Sequence, residues 1–549
     1  MEYNIKKMKI KKTIYNAIAP ILLKLRWKRV NLKLFNNKEL QADLNAKLSL
    51  NLSLKSTGKP KIIIGSIRSQ AHSNLFEGAI GGSFKKAGLE VAVLRCGQFL
   101  KSCETKTHYK DNQISCSMCH SEFDYFKKTF QLDEVSYDDL IDSKLRNNIN
   151  NFVNAVDLTK VDEWDGYSIQ NEWSCALQRY YLSTDIRLSE KPEIARQFLF
   201  TTISSFEAGK KLVKKDGFTH LFTSHGIYGT WGGLVAGFRY AGGDVTVWGR
   251  GYYNSGIVSF KGESYLNGLK FITRDFFLDK IRKENAEEVK SYLEARWTLT
   301  NDADLVKYYE KGDSSGAVSL ESIMQTDKKY IGFYPNIPWD GQAFVSTKNF
   351  RSLRDVLESL IKYADKHNDV HVIIRPHPAE NPEKNPHIGE TFLDITKEYE
   401  IAANENFTVL PYETSITSYD IAEKVKANVL FAGSIGLELA AKGLSVIQMG
   451  RNVSSNKDIY YEPNDYNEFE KMLDGILNNG ANKEIVINEE IKNKALEWAT
   501  FYYSQVHMRD QFFDYKGYTM EKTKDKIDDK RLSNYLDWIL TGKELYYEE

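Results

Sequence analysis

The sequence predicts an α/β protein with two Rossmann-like, doubly wound domains that face a cleft. Its 549 residues exceed what one ordinary core organises, so we expect at least two domains. Short apolar strands alternate with helices from residue 60 onward, and the alternation restarts near residue 330, which is typical of parallel sheets. Lys plus Arg and Asp plus Glu number 74 each, so no net charge favours nucleic acid as a partner.

Changes in composition divide the chain into four predicted regions. These are a basic amphipathic segment (1–55), a first α/β domain (56–310), a second α/β domain (320–495) and a helical extension (496–549). A polar stretch over 298–316 indicates the linker between the two domains. The predicted strands of the first domain are 61–65, 89–94, 220–224 and 244–248. Those of the second domain are 330–334, 370–374, 407–410, 428–431 and 445–448.

The N-terminal segment combines positive charge with a helical apolar pattern. Residues 1–40 contain eleven Lys or Arg and two acidic residues. Apolar side chains recur among them at helical spacing, at Ile14, Ile18, Ile21, Leu22 and Leu25. The pattern predicts a helix that either lies on an anionic membrane surface, without being needed for folding, or packs on the protein body.

Two further features of the first forty residues bear on localisation. The longest apolar run, 17–23, is shorter than the ~20 residues of a membrane span. The first apolar stretch also lacks the small-residue cleavage site of a secretory signal. We therefore expect a cytoplasmic protein that is peripheral at the inner membrane surface.

A histidine between two prolines follows one strand of the second domain. In the motif Ile373-Ile-Arg-Pro-His-Pro-Ala-Glu380 the prolines restrict the backbone on either side of His377. The imidazole is thereby held at the carboxyl end of a strand, where open α/β sheets bind ligands. Arg375 and His377 could both face a phosphate, and the alternative is a rigid turn in which the histidine is structural.

A glycine-rich turn follows a later strand of the same domain. Gly433 and Ser434 come between the strand and a helix, whose first backbone N–H groups could hold a phosphate with Ser434 as N-cap. Glu438 lies one turn into this helix and is placed to accept hydrogen bonds from ribose hydroxyls. The alternative is that small residues only permit tight helix–sheet packing and Glu438 is a surface acid.

These motifs resemble those of a known family when they are taken in order. The arrangement of Arg-Pro-His-Pro-Ala-Glu, Ser415-Ile-Thr-Ser418-Tyr and Gly433-Ser-Ile-Gly-Leu-Glu438 resembles the donor half of bacterial capsule polysaccharide biosynthesis glycosyltransferases. The stretch from Tyr334 to Asp340 is similar to those proteins, as is the N-terminal combination of a glycine-rich turn, Cys-x6-Cys-Glu and Cys-x-x-Cys. The resemblance covers roughly residues 60–480.

The resemblance implies a GT-B fold, with a nucleotide-sugar donor bound by the second half and a glycan or lipid-linked glycan acceptor bound by the first. The implied donor-binding residues are Arg375, His377, Ser415, Ser418, Gly433, Ser434 and Glu438. No cofactor is required for catalysis, because basic residues and helix N-termini can neutralise the leaving phosphate. Many retaining GT-B enzymes carry a second glutamate eight residues away, whereas Leu430 and Val446 flank Glu438 at that distance. This departure favours an inverting enzyme, and a CMP-activated acidic sugar would suit it.

Transfer to a hydroxyl needs a general base, which the first domain should supply. Glu77 and His225 are the main candidates, beside His377 as a catalytic residue of the donor half. His72 and Asp340 are weaker candidates. Each follows a predicted strand, and an ordinary polar loop residue is the alternative reading for each of them.

Four cysteines of the first domain form the last constellation. Cys116-x-x-Cys119 has the spacing of a zinc half-site, and Cys96 and Cys103 could complete a structural zinc site. The alternative is a set of reduced, buried thiols.

We expect transfer of a sugar to a capsular or lipopolysaccharide glycan. Three other functions stay open at this point. They are a polyol-phosphate transferase of the teichoic-acid type, a sugar-nucleotide epimerase, and a glycan-binding or scaffold subunit without catalytic activity.

Overall fold

The computed structural model forms two compact units. It describes residues 2–29, 59–68, 71–104, 112–251, 253, 256–262, 264–266, 268–269, 272–300, 319–325, 327–481, 484–509, 512–516, 519–522 and 529–542. The first unit comprises Met1–Tyr180, Ile186–Gly268 and His507–Glu549. The second unit comprises Tyr181–Asp185 and Leu269–Val506.

The boundaries of these units differ from the predicted ones. Residues 269–300, expected in the first domain, belong to the second unit because the helix Ala286–Trp297 packs on the helix Glu489–Phe501. The predicted C-terminal extension is divided, because the strand Met508–Arg509 pairs with the strand Gly256–Lys261 of the first unit. Most of the predicted linker, and residues 30–55 of the predicted N-terminal segment, lie outside the described residues.

The first unit contains a seven-stranded sheet and two small hairpins. Its strands are β1 (Lys61–Ile64), β2 (Glu90–Arg95), β3 (Asp133–Ser136), β4 (Glu163–Trp164), β5 (Tyr167–Ser168), β6 (His220–Ser224), β7 (Asp244–Arg250), β8 (Gly256–Lys261), β14 (Met508–Arg509), β15 (Phe513–Lys516) and β16 (Thr519–Lys522). The large sheet has the order β14-β8-β7-β6-β1-β2-β3. The five strands from β7 to β3 in this order are parallel, and β8 and β14 are antiparallel additions at one edge.

The second unit contains a five-stranded sheet in which every strand is parallel to its neighbours. Its strands are β9 (Lys329–Tyr334), β10 (Val370–Ile374), β11 (Phe407–Val409), β12 (Ala427–Leu430) and β13 (Val446–Gln448). The order is β11-β10-β9-β12-β13, so the chain builds outward from β9 on one side and then on the other. This is a Rossmann-like order, and its switch point lies between β9 and β12.

The described part of the chain contains nineteen α-helices. In the first unit they are α1 (Glu2–Arg29), α2 (Ala71–Lys86), α3 (Asn112–Phe130), α4 (Tyr137–Leu140), α5 (Ser143–Ala155), α6 (Gln170–Tyr181), α7 (Pro192–Lys214), α8 (Gly233–Tyr240) and α19 (Asp529–Thr541). In the second unit they are α9 (Arg274–Lys280), α10 (Ala286–Trp297), α11 (Leu320–Ile323), α12 (Gln342–Val345), α13 (Leu353–Ala364), α14 (Phe392–Glu398), α15 (Ser418–Ala422), α16 (Ile435–Ala441), α17 (Tyr466–Leu477) and α18 (Glu489–Phe501). None of the described helices is both long enough and apolar enough to cross a membrane.

The central strands are mostly apolar and buried, as is typical of strands covered on both faces. Ile62, Ile63 and Ile64 of β1 are fully buried, and so are all four residues of β12. Helix α2 lies close to this core because Gly78 leaves room for the Phe130 ring, which a Cβ at that position would approach to 2.2 Å. Gly88, with φ of +85°, follows α2 in the left-handed conformation that commonly ends a helix.

Candidate functional site

The loops that follow the strands of the second unit meet at one edge of its sheet. Because all five strands are parallel, the segments after β9, β10 and β12 leave the same edge, with β9 between the other two. His377 follows β10, and Gly433 and Ser434 follow β12. Asp340 follows β9 and acts electrostatically on His377. The structure thus places these segments on both sides of the topological switch point.

His377 is a half-buried, uncharged donor. Its Nδ1 accepts a hydrogen bond from the backbone N–H of Ala379 at 3.1 Å. Burial and the charge of Arg375 lower the pKa of His377 to about 4, although Asp340 acts in the opposite direction. The imidazole is therefore neutral at physiological pH, and because Nδ1 is the acceptor, the ring proton is assigned to Nε2.

Arg375 braces the loops at this edge. The guanidinium is buried, and its Nε donates to the Ile416 carbonyl at 3.0 Å while Nη1 donates to the Pro376 carbonyl at 2.7 Å. It thereby ties the segment after β10 to the segment that enters α15. Both of these N–H groups donate to backbone carbonyls. The positive charge of the same guanidinium lies close enough to His377 to lower the pKa of that histidine.

The glycine-rich turn after β12 presents a hydroxyl at the surface. Ser434 is exposed at the N-cap of α16, and its side chain makes no capping hydrogen bond. Its carbonyl and that of Gly433 accept from the first turn of the helix. The turn is tied to the loop after β13, because the Asn452 side chain donates to the Gly433 carbonyl at 3.3 Å.

Glu438 differs from the expectation of a solvent-lined ribose contact. It is 3% exposed, accepts from Arg296 Nε at 2.8 Å and accepts from the Tyr419 hydroxyl. Arg296 is also buried and its pKa stays well above the usual value, because the Glu438 charge outweighs the effect of burial. The two partners come from α10 and α16, which are far apart in sequence, so no local pattern indicates this pair.

The serines that precede and begin α15 fall on different sides of its start. Ser415 is exposed in the loop after β11, whereas Ser418 is buried as the first residue of the helix. Thr417 is the N-cap and forms a capping box with Asp420. Only Ser415 of this pair therefore offers a hydroxyl to solvent at this edge.

The corresponding edge of the first unit is built from strained backbone. After β6, three residues in succession or nearly so have positive φ: His225 at 59°, Gly226 at 69° and Tyr228 at 69°. The segment Tyr228–Gly232 then forms a π-helical turn before α8. Non-glycine residues in the left-handed region and π-helical turns are both enriched at functional sites.

His225 lies half-buried among aromatic rings at this edge. It stacks on Trp231 with ring centroids 4.9 Å apart, and Tyr265 meets it edge-on at 5.0 Å. Its Nδ1 is 2.8 Å from the Ser224 hydroxyl. Burial lowers the pKa of His225 to about 3, and the charges of Arg68 and Arg179 contribute. The ring is therefore uncharged at neutral pH.

A second network, absent from the sequence-based candidates, surrounds the same loop. Arg68 lies 3.8 Å from the Trp231 ring centroid and pairs with the buried Glu104 at 3.1 Å. Glu104 also accepts from the Thr230 backbone N–H at 3.2 Å and from its hydroxyl at 2.8 Å. The one signal in the sequence was the position of Glu104 directly after Cys103.

Glu77 has the pKa of a general base but lies inside the core. It was expected beside a cleft, yet it is fully buried on α2, where it accepts from Trp248 Nε1 at 3.1 Å and from the Ser66 hydroxyl. Burial raises its pKa to about 7, and these hydrogen bonds oppose that change. Glu77 therefore positions the turn after β1 through Ser66. The helix α2 also contains His72, whose side chain lies outside the described residues.

The four predicted metal ligands line one small cavity. The cavity has a volume of about 40 Å³, which leaves room for water molecules and not for a sugar. It is lined by Cys96, Cys103, Cys116, Cys119 and His120. Among the residues that the structure describes, no three His, Cys, Asp or Glu side chains are arranged to hold a metal ion. Burial raises the pKa of Cys96 to about 12, and Cys103 and Cys116 add to this effect. The structure brings these residues together as thiols, and the zinc stays a prediction.

Comparison with known proteins gives distant structural similarity only. No protein-family model matches the chain, and no curated protein matches it. Thermosulfurimonas dismutans KpsC, described as a beta Kdo 2,7 transferase, is 14% identical with a TM-score of 0.31, over 53% of this chain and 79% of that one. Methanocaldococcus jannaschii UDP-GlcNAc 2-epimerase, in complex with UDP-GlcNAc and UDP, is 11% identical with a TM-score of 0.26, over 80% and 98%.

A third similar structure is that of S. aureus MnaA with UDP, which is 10% identical with a TM-score of 0.27, over 87% of this chain and 96% of that one. Structural similarity with TM-scores this low does not indicate an activity for this chain.

Proposed function

We propose that the protein is a glycosyltransferase that moves a sugar from a nucleotide-sugar donor to a capsular or lipopolysaccharide glycan. The donor would bind the second unit and the acceptor the first. The observation that carries the proposal is His377, a neutral imidazole held by its own backbone at the carboxyl edge of a parallel sheet, after the strand next to β9. Ligands of open α/β sheets bind at such points.

The chemistry of His377 suits a leaving diphosphate or phosphate. Its Nε2–H would donate to a phosphate oxygen, and this hydrogen bond strengthens as the leaving group gains negative charge. Because the pKa of His377 is about 4, the donor state persists across the physiological range. The exposed hydroxyls of Ser415 and Ser434 and the backbone of Gly433 would add contacts to the donor. No metal ion is needed in this scheme, and an inverting outcome fits a single displacement.

His225 is the better placed of the two candidate bases in the first unit. Its pKa of about 3 is too low for efficient proton transfer, but part of that shift comes from Arg68 and Arg179. An anionic group of the acceptor, bound near these two arginines, would offset their charges and raise the pKa of His225. Glu77 would act indirectly, through Ser66 and Trp248. A glycan or lipid-linked glycan acceptor would be met on the cytoplasmic side of the inner membrane.

The test uses the full-length protein and a panel of labelled UDP-, GDP- and CMP-sugars. Release of free nucleotide should occur with one donor class and should increase when acceptor glycan is added. His377→Ala should lower kcat by about 10²–10³-fold, the usual effect of removing one donor to a developing negative charge. KM for the donor should change less, because the contact is stronger in the transition state.

His371→Asn is the matched control. His371 lies on β10, the strand that precedes His377, and it is half-buried. Burial lowers its pKa to about 4 as well, but it contacts Thr408 away from the sheet's carboxyl edge. This variant should keep near-normal turnover. Isomerisation of the donor sugar without transfer would show an epimerase. With a CDP-polyol added to the panel, transfer of polyol phosphate to the acceptor with release of CMP would show a teichoic-acid type transferase. Binding without turnover of any donor would show a scaffold subunit, and each of these results would overturn the proposal.

A further inference from the structure

Helix α1 is attached to the first unit through one of its faces. Ala19, Leu23 and Trp27 are buried against α3 in the core of this unit. Trp27 packs edge-on to Tyr125 with ring centroids 5.1 Å apart. Asn16 on the same helix accepts a hydrogen bond from Ser117 at 2.7 Å. The expectation that this segment is not needed for folding stays a prediction, and these contacts argue against it because removal of α1 would uncover part of the core.

The opposite face of α1 exposes an apolar stripe. Ile14, Ile18, Ile21 and Leu25 are exposed by 53%, 38%, 63% and 59%. With 3.6 residues per turn the four side chains fall within about 60° of arc, on the side away from Ala19 and Leu23. These four make up half of the eight large apolar side chains that are exposed in the described part of the chain. Scattered exposed apolar residues are ordinary, whereas a contiguous stripe indicates an interaction surface.

Positive charge accompanies the stripe. The sequence of α1 contains nine Lys or Arg and one acidic residue, Glu2. The side chains of Lys24 and Lys28 are exposed beside the stripe. An apolar stripe with basic neighbours is the arrangement by which amphipathic helices bind anionic lipid surfaces. It also disfavours a second copy of the same helix as the partner, because two such helices would bring like charges together.

We propose that the stripe formed by Ile14, Ile18, Ile21 and Leu25 docks on an anionic phospholipid bilayer. The four side chains would enter the boundary between headgroups and acyl chains while Lys24 and Lys28 contact the headgroups. Because the other face of α1 is fixed to α3, this contact would hold the first unit against the membrane. The sequence left open a membrane helix or a helix packed on the body, and under this proposal each of the two descriptions applies to one face of α1.

Co-sedimentation of the full-length protein with vesicles tests this surface. Vesicles of phosphatidylglycerol and phosphatidylcholine should bind the protein, and phosphatidylcholine vesicles should bind it about 25-fold less, at about fivefold for each of two basic side chains. Ile14→Ser, Ile18→Ser, Ile21→Ser and Leu25→Ser combined should lower the partition coefficient at least tenfold. A matched control replaces the exposed Phe276 and Ile487 of the second unit by serine and should bind as the unmodified protein does.

Further measurements distinguish a lipid bilayer from a second copy of the chain as the partner of this stripe. Circular dichroism and thermal unfolding of the fourfold variant should match the unmodified protein, since all four side chains are exposed. Equal vesicle binding by the fourfold variant would overturn the proposal. A change in molar mass by light scattering for that variant, without a change in vesicle binding, would show a contact between two copies of the chain instead. Equal binding to neutral and anionic vesicles would refute the assigned role of Lys24 and Lys28.

Discussion

A histidine is held in a fixed position at the carboxyl edge of each sheet, but by different kinds of contact. In the second unit, His377 is held by two prolines and by its own backbone, and its loop is braced by Arg375. In the first unit, His225 is held in a left-handed backbone conformation among aromatic rings and beside a buried ion pair. One edge is fixed by local sequence, and the other by packing between distant segments.

The difference has a physical consequence for how each edge tolerates change. A loop that prolines define needs little support from its surroundings, because its backbone has few alternatives. A loop with residues in sparsely populated conformations persists only while the surrounding contacts enforce it. We therefore expect substitutions around His225 to alter its geometry more readily than substitutions around His377. The predictions below test which contacts each edge depends on.

The largest effect is expected from Glu438→Ala in the second unit. This change leaves the buried Arg296 without its carboxylate, and breaking such a pair costs about 3–5 kcal/mol of the free energy of unfolding. The measurement is guanidinium unfolding of the full chain followed by tryptophan fluorescence.

Glu294→Ala is the control for this prediction. Glu294 of α10 and Lys442, the C-cap residue of α16, form a surface ion pair at 2.5 Å. Loss of an exposed pair costs about 1 kcal/mol or less. Similar unfolding free energies for the two variants would mean that the Arg296–Glu438 contact does not fix this edge.

A smaller effect, on the pH dependence of the free energy of unfolding, is expected from Glu77 in the first unit. Its sign is opposite to that of a carboxyl group whose pKa is lowered on folding. Burial raises its pKa to about 7, so between pH 4.5 and 7 the folded protein binds more protons than the unfolded chain. The contribution to stability is therefore present below about pH 4.5 and is lost as the pH rises through 7, on the order of 3 kcal/mol in all. Glu77→Gln should flatten the pH dependence of the unfolding free energy in this window.

Glu134, in the same unit, makes the free energy of unfolding change with pH in the opposite direction, and Glu134→Gln should remove that contribution. Burial acts to raise the pKa of Glu134, but hydrogen bonds from Lys127 and Arg95 outweigh it and lower the pKa. Its stabilisation is present above the unfolded pKa and is lost as the pH falls through the folded value. If Glu77→Gln leaves the slope between pH 4.5 and 7 unchanged, Glu77 is not the buried acid that supports the turn after β1.

What the sequence predicted follows the same division between local and distant contacts. The apolar runs of β1 and β12 and the proline-flanked His377 are local patterns, and the strands predicted from such runs are present in the two sheets. The strands β3, β8 and β14 of the large sheet were not predicted. The Arg296–Glu438 pair joins residues 142 positions apart, and Glu104 meets Thr230 across 126. Such pairs have no local signature, so Glu438 was expected at the surface and Glu104 was not considered. The backbone strain at His225 likewise has no signature in residue types.

The smallest effect is expected at the cysteine cavity, where a chelator should change little. Burial raises the pKa of Cys96 to about 12, so the thiolate that a zinc ion requires forms only if the metal displaces the proton. We expect incubation with EDTA to shift the thermal midpoint by no more than about 1 °C, well below the loss that removal of a structural metal causes. Alkylation followed by mass spectrometry should then find that Cys96 reacts slowly both with and without EDTA, because its thiol is protonated. Reactivity that appears only after EDTA, together with close to one zinc per chain by elemental analysis, would instead establish the predicted site at Cys96, Cys103, Cys116 and Cys119.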